Sequence, residues 1–411
     1  MIPVPEKRIA DFENLGFGMF VHWGLYSQLG MGEWTYFIHK RNMDEYKLLK
    51  DTFTAEDFDA EAMVLTAKNA GCKYITLTTR HHEGFSLYDT KGLNDFDAPH
   101  SPAGRDLIRE FVDACNKHGI IPFFYHTTLD WYNADFENDF DKYLEYLRQS
   151  VEVLCTNYGK IGGLWFDGNW SKPDADWKES ELYATIRKHQ PEAIIVNNTG
   201  LQARGQTGEQ EIDSVTFEQG RPTPMNREGM SKYIAAEMCY TLNDHWGIGE
   251  NDFNYKSPAE LIETLCACRK VGANLLLNIG PTAQGGVDPF QKALLDVMGK
   301  WVKIYGEAIY EGKPHGAVCA NGKNFVLKTE DSLYFFVHDL TRKGDAHVTV
   351  DGECNSDFVF NGVPEKIGSI AWMDNGEELG FTHEDGKLSL FATGFPYGTS
   401  TCVRVAKAKL I

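Results

Sequence analysis

Hydrophobic positions along the chain fall into two textures. From residue 17 to about residue 308, short runs dense in Ile, Leu, Val and Phe alternate with amphipathic stretches of helical period. The short runs predict strands over 17–22, 73–78, 120–125, 163–167, 193–197, 214–218, 234–238 and 274–279. Most lack strict alternation, as expected of parallel strands buried on both faces. The stretches between them predict helices over 55–69, 104–118, 136–158, 176–189 and 258–271, with Gly71, Gly119 and Gly272 each closing a helix ahead of a strand. Eight strands with intervening helices predict an α/β chain built on a closed, TIM-like (β/α)8 barrel. Residues 199–213 and 219–233 are rich in Gly, Gln, Arg and Pro and show no helical period. The barrel is therefore expected to be irregular after its fifth and sixth strands, with long functional loops there.

After a helix expected over 289–305 the texture changes. Short alternating runs at 324–329, 333–338, 347–350 and 388–391, separated by Gly, Asn and Asp turns, predict an antiparallel β-sandwich. The expected division is a catalytic barrel over residues 1–312 and a C-terminal sandwich over 313–411.

Composition narrows the function. Forty basic against 59 acidic residues give a net charge of −19, which disfavours nucleic acid and anionic membranes and suits a neutral ligand. No apolar run approaches the roughly 18 residues a membrane-spanning helix needs. The N-terminus has no basic-then-apolar leader pattern, so the chain as written is expected in the cytoplasm, or outside it if a leader has been removed. Nine scattered cysteines without a CxxC pair read as reduced, buried thiols.

Candidate chemistry gathers just after the predicted strands, where a barrel builds its active site. Strand one ends in His22-Trp23, strand two runs into His81-His82-Glu83, and strand three ends in Tyr125-His126. Strand four ends in Trp165-Phe166-Asp167-Gly168-Asn169-Trp170 and strand six in Glu218, while strand seven carries Glu237. Carboxylates and imidazoles that bond hydroxyls, beside aromatic faces that cover C–H patches, suit a sugar ring. Two carboxylates on different strands suit glycoside cleavage. His22, His81, His82 and His126 could instead ligate a metal, but adjacent His81 and His82 on an extended chain would face opposite ways; substrate contact is preferred, with no cofactor. Asp167 could merely cap the turn at Gly168, yet its place at a barrel strand end favours catalysis. Glu237, within an apolar run, reads as a buried support.

The segments Gly18-Met19-Phe20-Val21-His22-Trp23-Gly24, Gly32-Glu33-Trp34, Thr78-Thr79-Arg80-His81-His82-Glu83-Gly84-Phe85, Leu164-Trp165-Phe166-Asp167-Gly168 and Asn274-Leu275-Leu276-Leu277-Asn278-Ile279-Gly280-Pro281 resemble glycoside hydrolase family 29, the α-L-fucosidases. The resemblance implies metal-free, retaining hydrolysis of terminal α-L-fucosides, with a fucosylated oligosaccharide or glycoside as partner and homo-oligomerisation left open. It maps the nucleophile onto Asp167 and sugar contacts onto His22, Glu33, Trp34, His81, His82, Tyr125 and Trp165, with Trp246 beside the methyl group of the 6-deoxy sugar. The acid/base varies within the family. Glu218 is preferred over Glu237 because a general acid must reach a solvent-facing leaving group. Many members carry Asn-Asp-Arg-Trp-Gly after strand five; here the stretch reads Asn197-Asn198-Thr199-Gly200, so the arginine is absent, with Arg204 or Arg221 as candidate replacements. The rival readings are a non-catalytic sugar-binding protein and a metal-dependent sugar isomerase or epimerase on the same barrel.

Overall fold

A computed structural model describes residues 1–340 and 355–411 of the chain. Eight parallel strands pair in sequence order and close on themselves through the last and first. They are β1 (Phe17–Val21), β2 (Tyr74–Arg80), β3 (Ile121–Thr127), β4 (Gly163–Asp167), β5 (Ile194–Asn197), β6 (Ser214–Thr216), β7 (Ala235–Thr241) and β8 (Asn274–Ile279). Every residue of β1, β2 and β8 is buried, which is why these runs carry no alternation. Helices Ala60–Ala70, Leu107–His118 and Phe140–Asn157 begin at Asp59, Asp106 and Asp139, whose carboxylates accept amide hydrogens of the first turn. Each such cap contributes about 1 kcal/mol and fixes where the chain turns from loop to helix.

One helix has no sequence signal. Lys7–Leu15 lacks a side-chain cap and buries only Ile9 and Phe12. Phe12 meets Tyr74 and Phe123 with ring centroids 5.7 and 5.8 Å away, so it fills the barrel interior near the starts of β2 and β3. Above it the interior is aromatic, with Phe20, Tyr125 and Trp165 in one cluster.

The expected irregularity is present, and β6 is shorter than predicted. It ends at Thr216, and Ser214 alone pairs with β5, opposite Val196. Residues 198–213 and 217–234 contain no helix. A buried ion cluster takes over the work of tying them down. The Asp213 carboxylate receives Arg8 (3.0 Å), Arg187 (2.6 Å), Lys232 (2.8 Å) and the amide of Ile195 (3.0 Å).

The chain divides into two compact units, one of Met1–Lys256 with Ala273–Asp296 and a second of Ser257–Gly272 with Val297–Ile411. In the second unit lie two antiparallel sheets. One runs Val318–Cys319, Ser356–Asn361, Lys387–Ala392, Gly380–Glu384, and the other Ile367–Trp372, Arg404–Leu410, Ser332–Val337, Phe325–Lys328, Lys313–Pro314. Phe360, Leu388 and Leu390 of the first share a core with Val326, Leu333, Phe335, Ile370 and Ala408 of the second, which makes a β-sandwich. The strand expected at 347–350 lies outside the described residues. No described helix is long and apolar enough to cross a membrane.

Candidate active site

A pocket of about 580 Å³ opens at the C-terminal ends of the barrel strands. Its wall includes His22, Trp34, His81, His82, Tyr125, Trp165, Asp167, Glu218 and Trp246, which are nine of the ten residues singled out from the sequence. Glu33 is the exception. It is buried, and its Oε2 accepts the backbone amides of Trp246 (3.0 Å) and Gly247 (2.8 Å). It fixes the loop that presents Trp246 and does not form the pocket wall.

Asp167 is the last residue of β4. Only glycine fits after it: Gly168 has φ 125°, and a Cβ there would lie 2.4 Å from the Leu129 amide nitrogen. The Asp167 carboxylate is held on both oxygens. Oδ1 accepts from the Trp170 indole (2.8 Å) and the Asn198 amide (3.1 Å), and Oδ2 from the Tyr125 hydroxyl (3.0 Å), with His82 Nε2 at 3.4 Å. Burial by itself would raise this carboxyl, but the contacts with His82, Trp170 and Tyr125 outweigh it and hold the group below the usual carboxylate range.

Glu218 lies two residues beyond β6. Its Oε2 accepts from Asn198 Nδ2 at 2.8 Å. Because that nitrogen is also 3.1 Å from Asp167 Oδ1, the two carboxylate oxygens cannot be further apart than about 5.9 Å, the sum of the two distances. Burial and the facing Asp167 charge push the Glu218 carboxyl up to about 7. Neither replacement arginine lines the pocket. Arg204 donates to the backbone carbonyl of Glu218 from outside, and both Arg204 and Arg221 are exposed.

Glu237 is raised to about 7 as well, by burial, so protonation does not separate the two glutamates. Position does. Glu237 sits inside the barrel, where its oxygens accept the Tyr74 hydroxyl and the Trp165 indole (2.9 Å), and it does not reach the pocket.

The histidines divide. His22 bonds Asn278 Oδ1 (2.7 Å) through Nδ1, while the Asn278 amide donates to the Trp246 carbonyl. That network assigns the proton to Nδ1 and leaves Nε2 as an acceptor. Burial lowers His22 to about 3 and His81 well below its usual value, so both are neutral. His81 and His82 both reach the pocket, against the expectation of opposite faces. The chain leaves the strand at Arg80 and turns, with the Gly84 amide donating to the His81 carbonyl, so strand alternation no longer applies. His126 does not reach the site: it is fully buried between Thr79 and Ser150 hydroxyls, facing away from the barrel interior. Among the described residues no group of three or more His, Cys, Asp or Glu is arranged to hold a metal ion.

The family model for α-L-fucosidase matches residues 5–307, including every residue of this pocket. The chain belongs to the α-L-fucosidase family. It is 31% identical over 347 residues to the tissue α-L-fucosidase of Mus musculus, covering 77% of this chain and 75% of that one. The solved α-L-fucosidase isoenzyme 1 from Paenibacillus thiaminolyticus superposes with a TM-score of 0.80 at 30% identity, covering 98% and 99% of the two chains. A Bacteroides thetaiotaomicron α-L-fucosidase, solved as a trapped covalent intermediate with 2-fluoro-fucosyl fluoride, shares the fold at TM-score 0.81 and 23% identity, covering 100% and 98%.

Seven residues of this fucosidase-family pocket lie outside the ten that the sequence singles out: Phe20, Trp170, Asn198 and the run 199–202 that follows it. Trp170 stands three residues after Asp167, and Asn198 directly follows β5. Both positions carry a strand-end signal, but in the sequence Asn198 stands out only as part of a missing arginine motif.

Proposed function

We propose that this chain is a retaining exo-α-L-fucosidase that removes terminal α-L-fucose from oligosaccharides or glycoconjugates. The observation that carries the reading is the pair of carboxyl groups in one pocket, close together and biased to opposite protonation states. Retaining glycosidases place their carboxyls about 5–5.5 Å apart, whereas inverting ones need about 6.5 Å or more to admit a water. The bound of about 5.9 Å between one oxygen of each group sides with retention. Environments that drive two carboxyls apart in pKa assign their roles. Asp167, held ionised, is the nucleophile, and Glu218, protonated below about pH 7, is the acid.

In the first step an Asp167 oxygen bonds to the anomeric carbon as the glycosidic C–O bond breaks, and the Glu218 proton passes to the leaving oxygen. In the second, ionised Glu218 takes a proton from water, whose oxygen displaces Asp167 and releases fucose. Neutral His22 and His81 can bond sugar hydroxyls without bringing charge into the pocket, while Phe20 and Trp246 offer an apolar wall to the 6-deoxy carbon. The same reading assigns residues 1–312 to catalysis and 313–411 to a companion sandwich. That boundary follows strand type, parallel before and antiparallel after, and differs from the division into compact units, which groups Ser257–Gly272 with the C-terminal residues.

The test is the anomer first released from an aryl α-L-fucoside, followed by proton NMR. Initial appearance of α-L-fucose, mutarotating later, is expected; initial β-L-fucose would overturn the retaining assignment.

A further inference from the structure

The proposed carboxyl pair has something between its members. Asn198 Nδ2 carries two hydrogens, and the structure gives one to Asp167 Oδ1 (3.1 Å) and the other to Glu218 Oε2 (2.8 Å). The amide cannot be turned over without loss, because its oxygen accepts from the Thr216 hydroxyl (2.9 Å) and the Gly200 amide (3.1 Å). A turned amide would aim an acceptor at the ionised Asp167 carboxylate and a donor at the Gly200 N–H. Asn198 is 4% exposed, at the wall of the pocket.

We propose that Asn198 is a positioning residue that keeps the two carboxyl groups from sharing one proton and directs the Glu218 proton to Oε1. Two carboxyls at this distance, with nothing between them, tend to close on a common proton, and that proton is then poorly placed for a leaving group. With Oε2 occupied by an N–H donor, the acid proton must sit on Oε1, which has no protein hydrogen bond among the described residues. The inference rests on the fucosidase reading for its chemistry, but the hydrogen-bond geometry stands without it. The other charged or titratable groups facing the pair are His82, His22 and Tyr125 toward Asp167, and Glu33, Arg204 and Cys239 toward Glu218. All stay in place in the variants below.

Removing the donor removes an interaction that favours ionised Glu218. Its titration midpoint should therefore rise, by about one pH unit in Asn198→Ala and further in Asn198→Asp, where a third carboxylate joins the site. The experiment reads carboxyl ¹³C shifts in protein labelled at Glu and Asp, with the Glu218 signal assigned by its loss in Glu218→Gln. In parallel, the alkaline limb of the kcat/KM profile on an aryl α-L-fucoside should move up by the same interval, and kcat at the optimum should fall about tenfold or more. Thr216→Val, which removes one of the two donors to the amide oxygen without touching either carboxyl, should shift the midpoint in the same direction by less. It carries the test alone if both Asn198 variants fail to fold. An unmoved or lowered midpoint in the folded variants overturns the proposal, whatever happens to the rate. The carboxyl titration needs no turnover, so a wild-type protein inactive on fucosides would sink the proposed function and leave this inference to be judged on its own.

Discussion

Replacing Glu218 by Ala separates the two buried glutamates most sharply. In the wild-type protein a carboxyl with its midpoint at about 7 is about nine-tenths protonated at pH 6 and one-tenth at pH 8. Glycosylation that needs this proton should therefore fall about tenfold per pH unit above neutrality. Proton donation contributes about 10²–10⁴-fold. Glu218→Ala should lose that whole factor on a fucoside with a poor alkoxide leaving group, and almost none of the first step on α-L-fucosyl fluoride or a dinitrophenyl fucoside. With the base also gone the glycosyl–enzyme should accumulate, and azide should restore turnover by attacking it without base assistance. Glu237→Ala differs because its partners differ. It leaves the Tyr74 hydroxyl and Trp165 indole unpaired in the barrel interior, at a cost of about 1–3 kcal/mol for each unpaired group. That loss should lower thermal stability and reduce activity equally for all leaving groups. The assay is kcat/KM across a series of leaving groups for both variants, with and without azide. Azide rescue in Glu237→Ala and its absence in Glu218→Ala would refute the assignment.

Asp213→Ala should destabilise the barrel by about 3 kcal/mol, the low end for breaking a buried ion pair because its three cations keep some exposure to water; an unchanged urea midpoint would contradict this. Burial opposes but the bonds from Arg8, Arg187 and Lys232 outweigh it, so the folded Asp213 pKa is depressed. Its stabilisation is then present above the unfolded value of about 3.9 and lost as pH falls through the folded one, so wild type and variant should converge in acid. His126→Ala should lower the melting temperature with KM for fucosides unchanged, whereas His22→Ala should raise KM with a smaller effect on melting; the reverse pattern would contradict the division of the histidines.

How far the sequence carries these conclusions depends on what each element owes to its own residues. Barrel strands and capped helices are legible because apolar runs, Asp caps and Gly stops are local properties, and β4 and β8 have the bounds expected. The helix Lys7–Leu15 is not, since its two buried residues gain their meaning from Tyr74 and Phe123, far along the chain. The places of Asp167, Glu218, Tyr125 and Trp165 in the pocket are legible from strand ends, whereas those of Trp34 and Trp246 rest on the family resemblance. His126 misleads because strand-end position does not say which way the last side chain faces: Tyr125 points in, so His126 points out. Glu33 is placed by the structure on two loop amides, a role that nothing local in the sequence signals. Asn198 is invisible as a bridge, because its role exists only once β4, the chain after β5 and the chain after β6 converge.

The central claim is that Asp167 forms the bond to fucose. Incubation with 2-fluoro-fucosyl fluoride, proteolysis and mass spectrometry test it most directly, since a slow fluorinated sugar should stay on the nucleophile. One fucosyl adduct per chain on the peptide carrying Asp167, absent in Asp167→Asn, is the expected result. An adduct on another residue, or near-normal turnover by Asp167→Asn, would contradict the account.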